Sequence, residues 1–309
     1  MFRELANLSG LSLERLASLC EVAEAGSIGQ AARGDANRQS LLSRQIAELE
    51  AVFGVPLLAR QSRPFRLTDE GLELARAAKD FFLSAGDLRR RSQQHSLRVV
   101  VGAGESLIQW LLFPACERIR QQSGERIVFA FRNLESARLV EALQQGEVDL
   151  ALVRQEEVPP SLQHSKPWQY EQAAFVPKAL ARTTSALTAR ELADLPWAVL
   201  EGHGHFRQFL EARASEAGGA LHAALECSSY PQIAAAVKCG RYAGFLPEFA
   251  KNYFTGDGAV VQRPLAEPLS YTRSLALAWR EAGVRSRPFL TNVLEQLVTR
   301  LDKAFRRGR

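Results

Sequence analysis

Apolar residues recur at three- to four-residue spacing through the first ninety positions. Beyond Arg89-Arg90-Arg91 they gather into short runs separated by amphipathic stretches. This change of period restricts the chain to a helical N-terminal part followed by a larger α/β part, because helix and strand patterns bury different sets of residues. With 309 residues and 46% apolar content, each part has enough material for a core of its own.

The helical part is punctuated closely. Ser12 can cap a helix carrying Leu13, Leu16, Leu19, Cys20 and Ala23, and Gly26 is placed to end it. Ser27-Ile28-Gly29-Gln30 reads as a capping box that opens a short helix, which Gly34 stops. Asn37 is the expected cap of a third helix, with Leu42, Ile46, Leu49 and Phe53 on one stripe and Gly54 at its end. Its other side presents Gln39, Ser40, Ser43 and Arg44 near the N-terminus, with Glu48 and Glu50 only in later turns. A helix, a tight turn and a helix with an Arg/Gln/Ser front form the layout of a helix-turn-helix, whose second helix enters the DNA major groove. Arg matches guanine acceptors, Gln pairs with adenine, and Ser reaches phosphates or base edges. A merely solvated polar face is the alternative for such a helix taken alone.

The flanking segments favour DNA. Val55-Pro56-Leu57-Leu58 and Phe65-Arg66-Leu67 read as two short strands around a basic loop, a wing in which Arg60, Arg63 and Arg66 can neutralise phosphates. Six Arg fall between positions 33 and 66 against three acids, Asp35, Glu48 and Glu50. The predicted DNA-facing set is Gln30, Arg38, Gln39, Ser40, Ser43, Arg44, Arg60, Arg63 and Arg66. Thr68-Asp69-Glu70 then caps a long helix in which Gly71, Leu74, Ala78, Phe81, Ala85 and Leu88 step by three and four. This seam suits either a dimer contact or packing on the chain's own domain.

The segment from Leu13 to Gly71 resembles the LysR-type transcriptional regulators. The resemblance is carried by Ala31-Ala32, Leu42-Ser43-Arg44-Gln45-Ile46 with Leu49-Glu50, Phe53-Gly54-Val55-Pro56-Leu57 and Leu67-Thr68-Asp69-Glu70-Gly71. It implies a winged helix-turn-helix, a linker helix that dimerises, a two-lobed effector domain and assembly into tetramers. The turn departs from the family: Asp35 stands where Leu is usual, Asn37 where Val is frequent, and Arg38 in place of the customary Ser cap. These changes should loosen helix packing or oblige the third helix to begin on a different cap, while Arg38 adds a phosphate-directed charge.

After a polar joint at 89–94, the pattern reads strand 97–101, helix 106–122, strand 127–131, helix 137–145 and strand 148–153. A second series follows with strands near 173–177, 197–200, up to Cys227 and at 242–246, and helices from about Phe206 and from Pro231. Ser274 to Trp279 and a helix around 289–305 return the chain to the first lobe, leaving two crossing strands as a hinge. Ligands in such folds sit where strand ends meet helix N-termini. The turns that qualify hold Ser106, Ser136, His203, Gly204 and Ser229, the predicted effector-binding set; Ser106 and Ser136 fall on positions that contact effectors in LysR-type relatives. Either Ser can also be a plain N-cap. Glu105 would repel an acidic ligand unless it pairs with Arg132 or Arg154.

Several classes fit poorly. Charges at Arg3, Glu4, Glu14 and Arg15 interrupt any signal-peptide core and no apolar run is long enough to span a bilayer, so a cytoplasmic protein without membrane association is expected. Cys20, Cys116, Cys227 and Cys239 lack zinc spacing and are expected as buried free thiols. The His203-x-His205 pair has no carboxylate at fixed spacing, so no metal or other cofactor is predicted, and no nucleophile motif or catalytic residue. Family members that sense peroxide carry a reactive Cys near this loop, which here reads Gly-His-Gly-His-Phe.

The predicted fold class is multidomain α plus α/β: a winged helix-turn-helix over 1–67, a linker helix and joint over 68–96, and a periplasmic-binding-protein-like effector domain over 97–309. Lobe I is placed at about 97–168 and 268–309, and lobe II at about 169–267. The function read from these features is sequence-specific transcription regulation under a small-molecule effector of unidentified structure. The expected partners are double-stranded promoter DNA, that effector, a second copy through the linker helix, a homotetramer and RNA polymerase. The alternative is an intracellular solute-binding module whose N-terminal domain serves for dimerisation. A third class, a metal-dependent enzyme at His203 and His205, requires bound metal.

Overall fold

A computed structural model describes residues 3, 8–59, 65–124, 126–202, 204–256 and 258–306. The chain divides into two compact units, Met1–His95 with Arg285–Arg287, and Ser96–Val284 with Pro288–Arg309.

In the first unit, α1 (Leu13–Ala25) starts on Ser12, whose hydroxyl accepts from Arg15 N, and ends at Gly26 with φ 78°. The short helix α2 (Ile28–Ala32) starts on Ser27, but only half of the expected capping box forms: the Ser27 hydroxyl accepts from Gln30 N at 3.3 Å, while Gln30 Oε1 accepts from that hydroxyl at 3.1 Å and not from Ser27 N. The stop is shared by Arg33 (φ 51°) and Gly34 (φ 84°). Helix α3 (Ala36–Phe53) is capped by Asp35, not Asn37; one carboxylate oxygen accepts from Asn37 N at 2.8 Å and Arg38 N at 3.2 Å. The acid prevails because its negative charge also complements the positive helix end. Leu42, Ile46 and Leu49 bury against Leu19, Val22 and Ile28. A polar thread crosses this core, with Ser18 Oγ donating to Gln45 Oε1 at 2.5 Å and Gln45 Nε2 to Glu14 at 3.1 Å.

The wing strands β1 (Leu58–Ala59) and β2 (Arg66–Leu67) are antiparallel, with Leu58 opposite Leu67. The first is shorter than the expected Val55–Leu58 run because the Glu50 carboxylate accepts from Leu57 N (2.9 Å) and Leu58 N (3.0 Å), which bends the chain onto α3 before pairing begins. Helix α4 (Asp69–Ser92) starts on Thr68, whose hydroxyl accepts from Gly71 N at 3.1 Å. Gly71 is required by close approach: a Cβ there would collide with the Leu57 carbonyl oxygen, itself bonded to Thr68 N. Arg89, Arg90 and Arg91, expected in a joint, form the last turn of α4, where positive charge complements the negative helix end. The seam divides into covered and bare positions. Gly71 and Ala78 are buried, whereas Phe81 is 52% and Leu88 64% exposed.

The second unit contains, in chain order, β3 (Leu97–Ala103), α5 (Glu105–Leu107), a π-helical turn (Ile108–Leu112), α6 (Phe113–Gln122), β4 (Ile127–Asn133), α7 (Ser136–Gln144), β5 (Leu150–Arg154), β6 (Gln163–His164), β7 (Trp168–Pro177), β8 (Trp197–Leu200), α8 (His205–Glu216), β9 (Ala223–Cys227), α9 (Tyr230–Lys238), β10 (Ala243–Pro247), β11 (Val260–Arg263), β12 (Thr272–Trp279), α10 (Glu281–Arg285) and α11 (Pro288–Arg306). The single helix expected over 106–122 is broken by the π-helical turn because Pro114 has no N–H to return to the preceding turn. Strands β6 and β11 and helix α10 were not legible; each is five residues or shorter.

The strand order is β4-β3-β5-β12-β7-β10-β8-β9, with β11 on β7 and β6 on β12. Parallel β3, β4 and β5 make one lobe, and parallel β8, β9 and β10 the core of the other. The two expected crossing strands, β7 and β12, lie side by side as an antiparallel pair, with Arg273 opposite Tyr170 and Leu275 opposite Trp168. Helix α11 returns to the first lobe: Phe305 stacks on Trp168 at 5.6 Å and Asp302 accepts from Trp168 Nε1 at 2.6 Å. Cys116 and Cys227 are buried, but Cys239 is exposed, contrary to expectation, because it is the cap where α9 ends.

Candidate functional site

The polar face of α3 is built by helix geometry. At about 100° per residue, Ser40 and Arg44 fall opposite the buried stripe of Leu42, Ile46 and Leu49, with Ser43 beside them. Gln39, Ser40 and Arg44 are exposed and Ser43 half-buried. Among the described residues Arg44 and Arg66 have no ion-pair or hydrogen-bond partner for their side chains, and the same holds for Arg33, which the sequence reading left out of the set. Its only sequence signal was membership in the Arg-rich run.

Nearby acids are already engaged: Glu48 with Arg15, Glu24 with Lys79 at 2.9 Å, and Glu21 with Arg38 at 2.7 Å. Arg38, predicted to point at phosphate, therefore lies on Glu21. Gln30 is exposed in the middle of α2. Arg60 and Arg63, like His203, lie outside the described residues.

Because Asp35 holds two first-turn amides, Asp35→Ala destabilises the start of α3 by about 1 kcal/mol. Hydrogen exchange of the Asn37 and Arg38 amides should quicken about fivefold; unchanged protection would show that another group caps the helix.

The second candidate site lies in the second unit. Helices α8 and α9 flank the carboxyl end of β8, and a cavity of about 110 Å3 opens there, lined by Ala198, Leu200, Phe206, Ile233 and Phe245 with Gly204, Tyr230, Arg207 and Arg273. Gly204 is the N-cap of α8 and Ser229 that of α9; neither makes a side-chain cap bond. The Ser229 hydroxyl oxygen is buried with no hydrogen-bond partner, as is Oε1 of Gln172, a residue 2% exposed. Ser106 is buried on α5, which packs against α9. Ser136 is the first residue of α7, and its hydroxyl accepts from Arg154 N at 3.3 Å. Neither Ser106 nor Ser136 is an N-cap; Gly104 and Glu135 hold those positions. Ser106 and Ser136 do not line the cavity, whereas Gly204 does.

The charges there are unequal. Arg207 donates to Glu211 at 2.9 Å, Glu226 at 2.6 Å and the Leu200 carbonyl at 3.2 Å. Arg273, half-buried, donates to the Tyr271 hydroxyl at 3.0 Å and has no carboxylate partner among the described residues. Burial alone would lower its pKa, but Tyr271, Tyr170 and Tyr230 outweigh that and leave it raised. Burial pushes Tyr230 up to about 12, so its phenol stays protonated. Arg154 pairs with Glu157, not with Glu105, which is exposed. Burial raises Cys20 to about 11 and Cys116 to about 12, and also raises Cys227, which disfavours the thiolate at those three positions. Sequence reasoning missed Tyr230, Gln172 and Arg273, which belong to no local motif.

Known proteins match both halves. The family model described as "Bacterial regulatory helix-turn-helix protein, lysR family" matches residues 13–72, and "LysR substrate binding domain" matches 92–302. An uncharacterized HTH-type transcriptional regulator of Mycobacterium bovis is 28% identical over 273 residues, covering 83% of this chain and 82% of its own. Among solved structures, ArgP from Mycobacterium tuberculosis superposes with a TM-score of 0.64 at 18% identity, covering 92% of this chain and 95% of its own. Full-length LysG from Corynebacterium glutamicum with bound effector Arg gives 0.63 at 16%, covering 94% and 98%. A helix-turn-helix unit joined to a two-lobed α/β unit, with both family models matched in that order, makes this chain a member of the LysR family of bacterial transcriptional regulators, with a DNA-binding and an effector-binding domain.

Proposed function

We propose that α3 reads the major groove of promoter DNA through Gln39, Ser40, Ser43 and Arg44, while Arg33 and Arg66 hold phosphates. The observation that carries this reading is the free guanidinium of Arg44 directly opposite the buried stripe of the helix. Gln30 and the wing residues Arg60 and Arg63 complete the contact. Arg38 acts indirectly, tying α3 to α1 through Glu21. The exposed Phe81, Ala85 and Leu88 of α4 supply the dimer contact, which sets the spacing of two recognition helices on paired half-sites. The effector occupies the cavity at the end of β8 against Gly204, with Ser106, Ser136 and Ser229 outside its lining. It acts by favouring one arrangement of the lobes around β7 and β12.

Titrating the full-length protein against its own upstream DNA at two salt concentrations tests the DNA-binding part. Phosphate contacts release counterions, so affinity falls linearly in log–log form as salt rises. Absent or salt-independent binding would refute the proposal.

A further inference from the structure

We propose that the effector is a small monocarboxylate whose apolar body, no larger than about a benzene ring, fills the cavity between α8 and α9 while its carboxylate bonds to Arg273 and the Tyr230 hydroxyl. This rests on the reading of that cavity as the effector site. Five observations converge on it. Leu200, Phe206, Ile233 and Phe245 give the cavity apolar walls. Its 110 Å3 is of the order of the roughly 150 Å3 space that accepts benzene.

The two guanidiniums on the lining differ in kind. Arg207 is neutralised by Glu211 and Glu226, whereas among the described residues Arg273 has only the neutral Tyr271, by hydrogen bond and by its ring 5.2 Å away. A half-buried cation without a counterion is costly to keep, and an anionic ligand removes that cost. The Tyr230 oxygen accepts a long 3.5 Å bond from Gln172 Nε2, which leaves its own proton to donate. Arg273 stands on β12 opposite Tyr170 of β7, so a ligand held there bears on the pair of strands that joins the lobes.

The test is calorimetric titration of the full-length protein with 4-methylpentanoate and benzoate, their neutral amides, and L-leucine, which adds an ammonium to the first acid. At least one carboxylate should bind, its amide about tenfold more weakly, and leucine no better than the acid. Arg273→Gln should abolish the preference for the acid, Arg273→Lys should retain much of it, and Tyr230→Phe should weaken the acid alone. Equal affinity for acid and amide, tighter binding of leucine, no binding by either acid at millimolar concentration, or an Arg273→Gln protein with wild-type affinity would each overturn the proposal. Salt-dependent binding of upstream DNA, measured on the same samples, shows whether only the ligand class has failed or the regulator reading as well.

Discussion

Replacing Arg44 by Ala weakens binding of the protein to its own upstream DNA by about ten- to a hundredfold, the cost of one bidentate base contact. The side chain is exposed, has no partner among the described residues and sits one turn beyond Ser40 on the face opposite Leu42 and Ile46. Its removal therefore leaves no buried group unpaired, and the fold is expected to stay within about 0.5 kcal/mol of wild type. A base-reading Arg44 changes the preference among DNA sequences and leaves the salt slope nearly intact. A phosphate-binding Arg44 reduces the slope by about one and weakens all sequences alike. Fluorescence anisotropy on two DNA sequences at two salt concentrations separates the two outcomes, and an unchanged affinity for both would remove Arg44 from the interface.

Glu191→Ala destabilises the second unit by about 3 kcal/mol, the low end of the range for unpairing a buried charge because Glu191 itself is partly exposed. Arg263 is 1% exposed, and its guanidinium donates to Glu191 at 2.9 and 3.2 Å and to the Ser185 and Ala186 carbonyls at 2.7 and 3.3 Å. Glu191 also accepts from Thr188 N and its hydroxyl, both at 2.9 Å. Thr188→Ala removes the hydroxyl's bond to the carboxylate and its half of the capping box, leaves the ion pair in place and should cost about 1 kcal/mol, which separates the ion pair's share. Urea unfolding followed by tryptophan fluorescence reports this unit alone, since Trp110, Trp168, Trp197 and Trp279 all lie in it.

Burial alone would raise the Glu191 pKa, but its bonds from Thr188 and Arg263 overcome that and hold it below the ordinary glutamate value of 4.5. A depressed folded pKa contributes stability that is complete above the unfolded value and is lost as pH falls through the folded one. The gap between wild type and Glu191→Ala should therefore narrow on acidification; a gap that persists well into acid would show that the carboxylate charge is not what stabilises the loop.

The faces of the elements were readable, and their starting points less so. The stripe Leu42, Ile46, Leu49 and the front Ser40, Arg44 followed from the helical period alone. Asn37 and Asp35 are both good caps; the chain's turn through Arg33 and Gly34 brings Asp35 to the free amides, and its charge favours it there. The heptad of α4 could not be divided from the sequence, since a dimer seam and a core stripe share one spacing. The fold divides it, covering Gly71 and Ala78 and leaving Phe81 and Leu88 bare. The helix expected over 106–122 read as continuous because its apolar period runs through Pro114, and the π-helical turn before that residue left no mark on the period.

Local order on the chain was enough to establish the family, the succession of helix-turn-helix, long helix and alternating α/β segments, and the exposed polar side of α3. Each depends on period, caps and turns within a few residues. The cavity at the end of β8 was decided only by tertiary structure. Leu200, Phe206, Tyr230, Phe245 and Arg273 span more than seventy positions and meet because β8, β10, β7 and β12 are brought together in one sheet by crossover and antiparallel pairing. The same pairing decides which arginine keeps a free charge. Arg207 finds Glu211 one turn along its own helix and Glu226 on β9, whereas Arg273 meets only tyrosines, and no pattern in the sequence states which carboxylates a distant guanidinium will meet.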